Sequence, residues 1–221
     1  MGEFRPRHVV IVRHGESEGD FRRSMRRQGV PFDSKKHPRD EEQTKRGHEQ
    51  SAAAGRWIAK YILDQYGITF DKCFRSPLLR TQQSANSLGL SDNWYDEPAI
   101  AERDRGDIQG MTNEQHQELY PDSYRQMREH PFHWVPPNGE SLLRVSYKVG
   151  EFLDTLDKGS NYLFMTHRDV MWSTHIPIDG VSLAEIEQID TDAIGNGHIF
   201  HCTNVNPYDG TIVTNELDWK H

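Results

Sequence analysis

The chain has 221 residues, enough for one α/β domain, and its 34% hydrophobic and 27% charged content excludes wholesale disorder. A net charge of −8 argues against general nucleic-acid binding, which needs a basic footprint. Two cysteines, Cys73 and Cys202, make no disulfide framework, and no apolar run approaches the roughly 18 residues of a membrane span.

The first apolar run is His8-Val9-Val10-Ile11-Val12, which reads as a short, buried strand. It is too short for a signal peptide, and Pro6 stands where a myristoylation signal after Gly2 needs Ser or Thr. Arg13-His14-Gly15-Glu16-Ser17 follows at the carboxyl end of that strand, where ligands of open α/β sheets bind. Arg13 offers a planar fork for phosphate or carboxylate, His14 a neutral nucleophile near pH 7, and Gly15 close approach to the backbone. A long polar connection is expected from about Glu16 to Gln43, too long for an ordinary βα loop. Residues 20–46 hold nine Lys or Arg against five Asp or Glu, a net +4 in an acidic chain. Arg22, Arg23, Arg26 and Arg27 of this stretch are expected to form a flexible basic rim near the pocket mouth, with a solvated turn as the alternative.

Thr44 is placed to cap a helix running to about Tyr66, with Ala54, Trp57, Ile58, Tyr61 and Ile62 on its inner stripe and Gly67 as its stop. A strand is expected at Lys72 to Arg75. Ser76-Pro77 then opens a helix carrying Arg80 and ending at Gly89, with Ser as cap and Pro at the first helical position. Trp94 to Asp96 reads as a strand and Pro98 to Gly110 as a loop holding Glu102, Arg103, Asp104 and Gly106. Short helices follow near Asn113–Leu119 and Ser123–Glu129. Leu142, Val145, Val149, Phe152, Leu153 and Leu156 recur at helical spacing behind Pro136-Pro137-Asn138-Gly139-Glu140-Ser141. Asn161 to Thr166 is a second buried strand, ending in Thr166-His167-Arg168, and a helix follows with Val170, Met171 and Trp172 inward. Ser182 and Glu185 form a capping-box signature. Gly197 to Thr203 and Thr211 to Leu217 read as strands around a turn at Asn206 to Gly210. Strands alternating with helices imply an α/β three-layer sandwich, a mostly parallel central sheet with helices on both faces.

These motifs together resemble the histidine phosphatase superfamily, also called phosphoglycerate-mutase-like. Arg13-His14-Gly15-Glu16-Ser17 is similar to its signature, and Thr44-Lys45-Arg46-Gly47-His48-Glu49-Gln50-Ser51 to the opening of its first helix. Arg75-Ser76-Pro77-Leu78-Leu79-Arg80-Thr81 resembles its second motif. Ile100-Ala101-Glu102 with Gly106 looks like the loop of its acid, Gly139-Glu140-Ser141 like its "G-E-S", and Thr166-His167 like its second histidine. Three positions depart from the pattern: Asp20 for a common Asn near the phosphate, Gln43 for a Leu, and Arg168 for the Gly after the second histidine. Arg168 either aids anion binding or crowds the pocket.

The resemblance implies a phosphatase acting on phosphate monoesters through a phosphohistidine on His14. It implies Glu102 as general acid and base, and Arg13, Arg80 and His167 as the groups that take up phosphate charge. Gly15, Ser17, Asp20 and Arg168 complete the expected phosphate-binding set. The spacing from Glu102 to Glu140 resembles the small broad-range phosphatases more than the true mutases. A mutase-type phosphotransferase and a weakly catalytic phospho-ligand-binding module are the alternatives. No cofactor or metal is expected: His130-x-x-His133 and His198-x-x-His201 have metal-like spacing but no third ligand nearby in sequence. Cys73 and Cys202, in expected strands, read as buried and inert. The expected picture is a single domain, residues 1–221, soluble and cytoplasmic, with a small phosphorylated substrate, no nucleic-acid or membrane partner, and no readable oligomeric state.

Overall fold

The computed structural model describes residues 6–30, 36–189 and 193–205. The turn expected at 206–210 and the strand expected at 211–217 lie outside the described residues, as do Asp33 and Lys35 of the basic stretch. The strands are β1 (His8–Arg13), β2 (Lys72–Arg75), β3 (Tyr95–Asp96), β4 (Asn161–Thr166) and β5 (Ile199–Thr203). The helices are α1 (Glu18–Arg27), α2 (Lys45–Ile58), α3 (Asp64–Tyr66), α4 (Leu79–Leu88), α5 (Asn113–Leu119), α6 (Pro121–Glu129), α7 (Leu142–Asp154), α8 (Arg168–Asp179) and α9 (Leu183–Ile186). None among the described residues is long and apolar enough to cross a membrane.

The described strands form one sheet in the order β3-β2-β4-β1-β5. β1, β2, β3 and β4 are parallel, and β5 runs antiparallel to β1 at the edge. Val9, Val10, Ile11 and Val12 are fully buried because they alternate between two cores. Val9 and Ile11 pack with Val145 and Val149 of α7 and Val170 and Met171 of α8. Val10 and Val12 pack with Ala54 and Ile58 of α2 and Ala85 and Leu88 of α4. Each such side chain contributes about 1.5–3 kcal/mol over leaving it in water. Helices therefore cover both faces of a mostly parallel sheet, the expected architecture.

Three local expectations change. The polar connection after β1 contains a ten-residue helix, α1, capped reciprocally by Ser17 and Asp20. The inner stripe of α2 is Ser51, Ala54, Gly55 and Ile58, followed by Ile62 in a π-helical turn over Ala59–Leu63. Trp57 and Tyr61 are exposed at 46% and 44%, opposite to expectation. At the start of α4, Ser76 makes no helix cap: the first helical residue is Leu79, and the Ser76 hydroxyl goes elsewhere. Composition explains the first difference, since six of the ten α1 residues are charged and only Phe21 and Met25 are large and apolar, which gives little apolar signal.

Candidate active site

β1 and β4 are paired in register from His8 with Asn161 to Arg13 with Thr166. Equal registration makes them end together, so His14 and His167 emerge side by side with ring centroids 5.1 Å apart. β2 pairs with β4 on the other side, and α4, which follows it, brings Arg80 over both rings. Arg80 Nε donates to His14 Nε2 at 3.3 Å, and its Nη2 lies 3.3 Å from His167 Nδ1. Glu102 closes the group, with Oε2 3.9 Å from Arg80 Nη2 and 3.8 Å from His167 Nδ1. Five residues singled out from sequence, Arg13, His14, Arg80, Glu102 and His167, thus meet in one place.

The orientation of His14 is set locally. Its Nδ1 lies 2.7 Å from the Gly15 carbonyl and donates to it, so Nε2 carries the lone pair. Gly15 itself sits against α2: a Cβ there would stand 2.1 Å from the Gly47 carbonyl, and one at Gly47 2.1 Å from the Glu16 carbonyl. Glycine is required on both sides of this contact. Around it, Gln50 Oε1 accepts from Glu16 N at 2.8 Å, and Thr44 Oγ1 donates to Glu16 Oε1 at 2.8 Å while capping α2. Ser84 of α4 accepts from Gly15 N at 3.1 Å. The Thr44, Gly47 and Gln50 spacing is thus the fastening of the loop that carries His14.

His167 is held by Ser76, whose Oγ lies 2.8 Å from Nε2. With Arg80 directed at Nδ1, the consistent tautomer has the proton on Nε2, donating to the serine. Burial and the neighbouring Arg80 push the His167 pKa well below its ordinary value. Burial lowers His14 to about 3, with Arg80 and Arg13 adding to the effect and Asp20 opposing it. The positive charge at the site therefore comes from arginines. Arg13 donates from Nη1 to the Ile194 carbonyl at 2.7 Å and from Nη2 to Asp20 Oδ1 at 3.1 Å.

The loop that carries Glu102 is braced from two sides. Thr166 Oγ1 at the end of β4 donates to the Ile100 carbonyl at 2.7 Å. Glu140 accepts from Asp104 N at 3.1 Å, returns its own N–H to the Asp104 carbonyl at 3.0 Å, and pairs with Lys148 at 2.6 Å. Ser141 caps α7. The Gly139-Glu140-Ser141 motif is therefore a clamp on the loop that carries Glu102. Burial, with Asp169 nearby, pushes the Glu102 pKa up, against the pull of Arg80 and Arg105.

The remaining expected residues take different places. The Ser17 hydroxyl accepts from Asp20 N at 3.2 Å and donates to Asp20 Oδ2 at 3.0 Å, so the α1 cap occupies it. Asp20 is a counter-ion of Arg13, and the site's cations hold its carboxyl far below the usual carboxylate range. Arg168 pairs with Asp169 at 3.7 Å at the start of α8. The basic rim does not act as a unit: Arg22 pairs with Glu41, and Arg26 donates to the Gly110 carbonyl at 2.9 Å. Only Arg23 of the four joins Asp20, at 3.4 Å. Asp169, Arg103, Arg105 and Asn196 were not recognised in the sequence as parts of the site. Asp169 is 4% exposed, and Arg103 Nε and Arg105 Nη2 each lie 3.0 Å from its Oδ2. Asn196 donates to the His14 carbonyl at 3.2 Å and to Asp20 Oδ2 at 3.0 Å.

Away from the site, His8 Nδ1 and His201 Nε2 lie 3.0 Å apart, and burial lowers both pKa values to about 4. His201 points to the core opposite the one Phe200 joins, as strand alternation requires. Cys73 and Cys202 are thiols whose pKa values burial raises. The histidines give the fold a pH dependence with a definite sign. His8, His14, His167 and His201 stay neutral in the folded chain but take up protons below about 6.5 when unfolded. Stability must then fall as pH falls from 6.5 toward 4, by up to about 1.4 kcal/mol per pH unit for each fully buried histidine. Urea midpoints at pH 7 and pH 5 should differ clearly, and equal midpoints would contradict the neutral assignment.

The chain is similar in sequence and in fold to known proteins. The family model of the histidine phosphatase superfamily (branch 1) matches residues 9–204. A 2,3-bisphosphoglycerate-dependent phosphoglycerate mutase of Methylobacterium radiotolerans is 28% identical over 193 residues, which span 83% of this chain and 84% of that one. The 6-phosphofructo-2-kinase/fructose-2,6-bisphosphatase 1 of Rattus norvegicus is 29% identical over 167 residues, 75% of this chain but 31% of that protein. Among solved structures, the alpha-ribazole phosphatase of Shigella flexneri superposes with a TM-score of 0.66 at 20% identity, over 88% of this chain and 89% of that one. A mycobacterial glucosyl-3-phosphoglycerate phosphatase gives a TM-score of 0.67 at 20% identity, over 88% and 92%. With a family match over nearly all of the described sheet and helices, the chain belongs to branch 1 of the histidine phosphatase superfamily.

Proposed function

We propose that the protein hydrolyses phosphate monoesters through a phosphohistidine on His14, with Glu102 as acid and then base, and without a metal ion. One observation carries this reading: His14 Nδ1 is tied to the Gly15 carbonyl, which leaves Nε2 as a lone pair among Arg80, His167 and Glu102. In the first step Nε2 attacks phosphorus, the bond to the alcohol oxygen breaks, and the Glu102 proton goes to the departing alkoxide. In the second, water attacks the phosphohistidine, Glu102 takes its proton, and inorganic phosphate leaves. Arg13 and Arg80 take up the charge of the transferring group, with Gly15 letting the backbone close on it. A bound dianion raises the proton affinity of His167, so substrate binding and protonation of that ring go together. The arginines supply the charge a metal ion would. Thiols at both cysteines fit a reducing compartment, and the cytoplasm is the proposed location.

Brief incubation with substrate should leave a base-stable, acid-labile phosphoryl group on His14, and chelator should leave turnover unchanged. A second reading, a phosphotransferase moving phosphate between hydroxyls of one small acid, is favoured by the mutase relatives at 28% identity. Phosphoglycerate separates the two. Release of inorganic phosphate, or no reaction, fits the phosphatase. Rapid interconversion of the 2- and 3-phospho isomers would reverse the order.

A further inference from the structure

Residues 101–105 form neither helix nor strand, and Glu102 lies among them. Its place must therefore be set by ties to other elements. The Thr166 hydroxyl holds the Ile100 carbonyl, and Glu140 holds Asp104. The residues around Glu102 have a further tie. Arg103 is buried, with its guanidinium 5.5 Å from the centre of the Trp134 ring and its Nε 3.0 Å from Asp169 Oδ2. Arg105 Nη2 donates to the same oxygen at 3.0 Å. Arginines one and three positions after Glu102 thus converge on one carboxylate oxygen. The Arg103 amide in turn donates to Glu102 Oε1 at 3.1 Å. The group that orients the Glu102 carboxyl therefore belongs to a residue whose side chain is fastened to Asp169.

Asp169 is itself fixed. It is buried in the first turn of α8, whose N-cap is His167. The Asp169 carbonyl accepts from Ser173 Oγ at 2.8 Å, and the His167 carbonyl accepts from Met171 N at 3.0 Å. His167 Nδ1 lies 3.8 Å from Glu102 Oε2. The ring and the carboxyl that faces it are thus both held to one helical turn. A buried carboxylate needs compensating cations, and the two nearest here come from the loop that carries Glu102.

We propose that Asp169 is a positioning residue for the reaction: by drawing Arg103 and Arg105 onto the start of α8, it sets the Glu102 carboxyl against His167 and the departing oxygen. This rests on the reading of Glu102 as the acid. Charge acts in the same direction as geometry. The charged and titratable groups around Glu102 are Arg13 of β1, Arg23 of α1, Arg80 of α4, His167 and Asp169 at the start of α8, and Arg103 and Arg105 of its own loop. Asp169 is the one anion among them. Burial and then Asp169 favour the protonated carboxyl, against Arg80 and Arg105.

Asp169→Asn keeps the size of the side chain and removes the charge that holds both arginines. At pH values where Glu102 is protonated, kcat for an alkyl phosphate should fall about tenfold or more, because the proton donor is misplaced. An aryl phosphate with a good leaving group should lose far less. KM should rise for neither, since a negative charge has left a site for anions. A rise of KM with equal losses on both substrates would make Asp169 a merely structural residue and overturn the proposal. The Glu102 titration gives a readout that needs no turnover. Followed by NMR of 13C-labelled glutamate carboxyls, and identified by its absence in Glu102→Gln, it should move to lower pH in Asp169→Asn. A native alkyl rate or an unmoved Glu102 signal overturns the role of Asp169. If Glu102→Gln slows alkyl and aryl substrates alike, the acid reading fails, while the titration still decides whether Asp169 governs the Glu102 carboxyl. Should Asp169→Asn not fold, Arg105→Gln cuts one of the two ties at a side chain 32% exposed. Its alkyl rate should fall about threefold or more with the aryl rate nearly native. Its Glu102 titration should move to higher pH, so lost protonation cannot be the cause. A native alkyl rate in this variant overturns the tie.

Discussion

Replacing His14 by alanine is expected to lower turnover of every phosphate ester by roughly 10⁵-fold or more, the scale of losing a covalent nucleophile. The loss should be in kcat for alkyl and aryl phosphates alike, because no leaving group reacts without an attacking atom. The chain should still fold. The His14 ring bonds only the Gly15 carbonyl and Arg80 Nε, whereas the loop around it is fastened by Thr44, Gln50 and Ser84. Removing it also takes away a ring that must be neutral in the folded state, which eases acid destabilisation. A circular dichroism spectrum like the native one, together with the missing phosphoryl label, separates lost chemistry from lost structure. Full activity in the folded variant would remove His14 from the mechanism.

Much of the fold was legible because it is written in local pattern. β2 and β4 begin and end where the sequence places them, and α5 covers the expected span, opened by a capping box of Thr112 and Gln115. What was missed depends on contacts distant in sequence. α2 crosses α4 so closely that a Cβ at Gly55 would stand 1.9 Å from the Leu88 carbonyl. A helix pressed against backbone needs small residues inward, so Ser51, Ala54 and Gly55 take the face that hydrophobicity assigned to Trp57 and Tyr61. α1 was hidden for another reason. It is held by its cap and by the ion pairs of Arg22 and Arg23 rather than by an apolar stripe.

The site divides the same way. Motif residues were legible because each follows a strand end or a helix start. Ser76 was legible as a residue but not as a partner, since its hydroxyl serves His167, 91 positions away. Asp169 was illegible because its value lies in Arg103 and Arg105, brought to it by a different loop. A charged residue at a helix N-terminus has an ordinary local reading through the helix dipole, and nothing in the chain around Asp169 overrides it.

Substituting glutamine for Glu102 should affect substrates unequally. General acid catalysis contributes about 10²–10⁴-fold, and only where the departing oxygen needs a proton. Alkyl phosphates, whose alkoxides are strongly basic, should lose that full factor. An aryl phosphate with a good leaving group should lose far less in the step that breaks its ester bond, and a slow second step should then let phosphohistidine accumulate. The pH profile supplies an independent check. Burial raises the Glu102 pKa, so the acid form persists above the usual carboxylate range and is lost as pH rises through the raised value. His14, lowered to about 3, is neutral throughout that interval and adds no limb of its own there. For an alkyl phosphate, the fall of kcat with rising pH should therefore disappear in the glutamine variant, as the second symptom of the same missing proton. Glutamine keeps the acceptor that Arg103 N bonds at 3.1 Å, so the loop need not move. Equal losses on alkyl and aryl substrates, with the pH limb intact, would make Glu102 a binding residue and leave another group to protonate the alcohol.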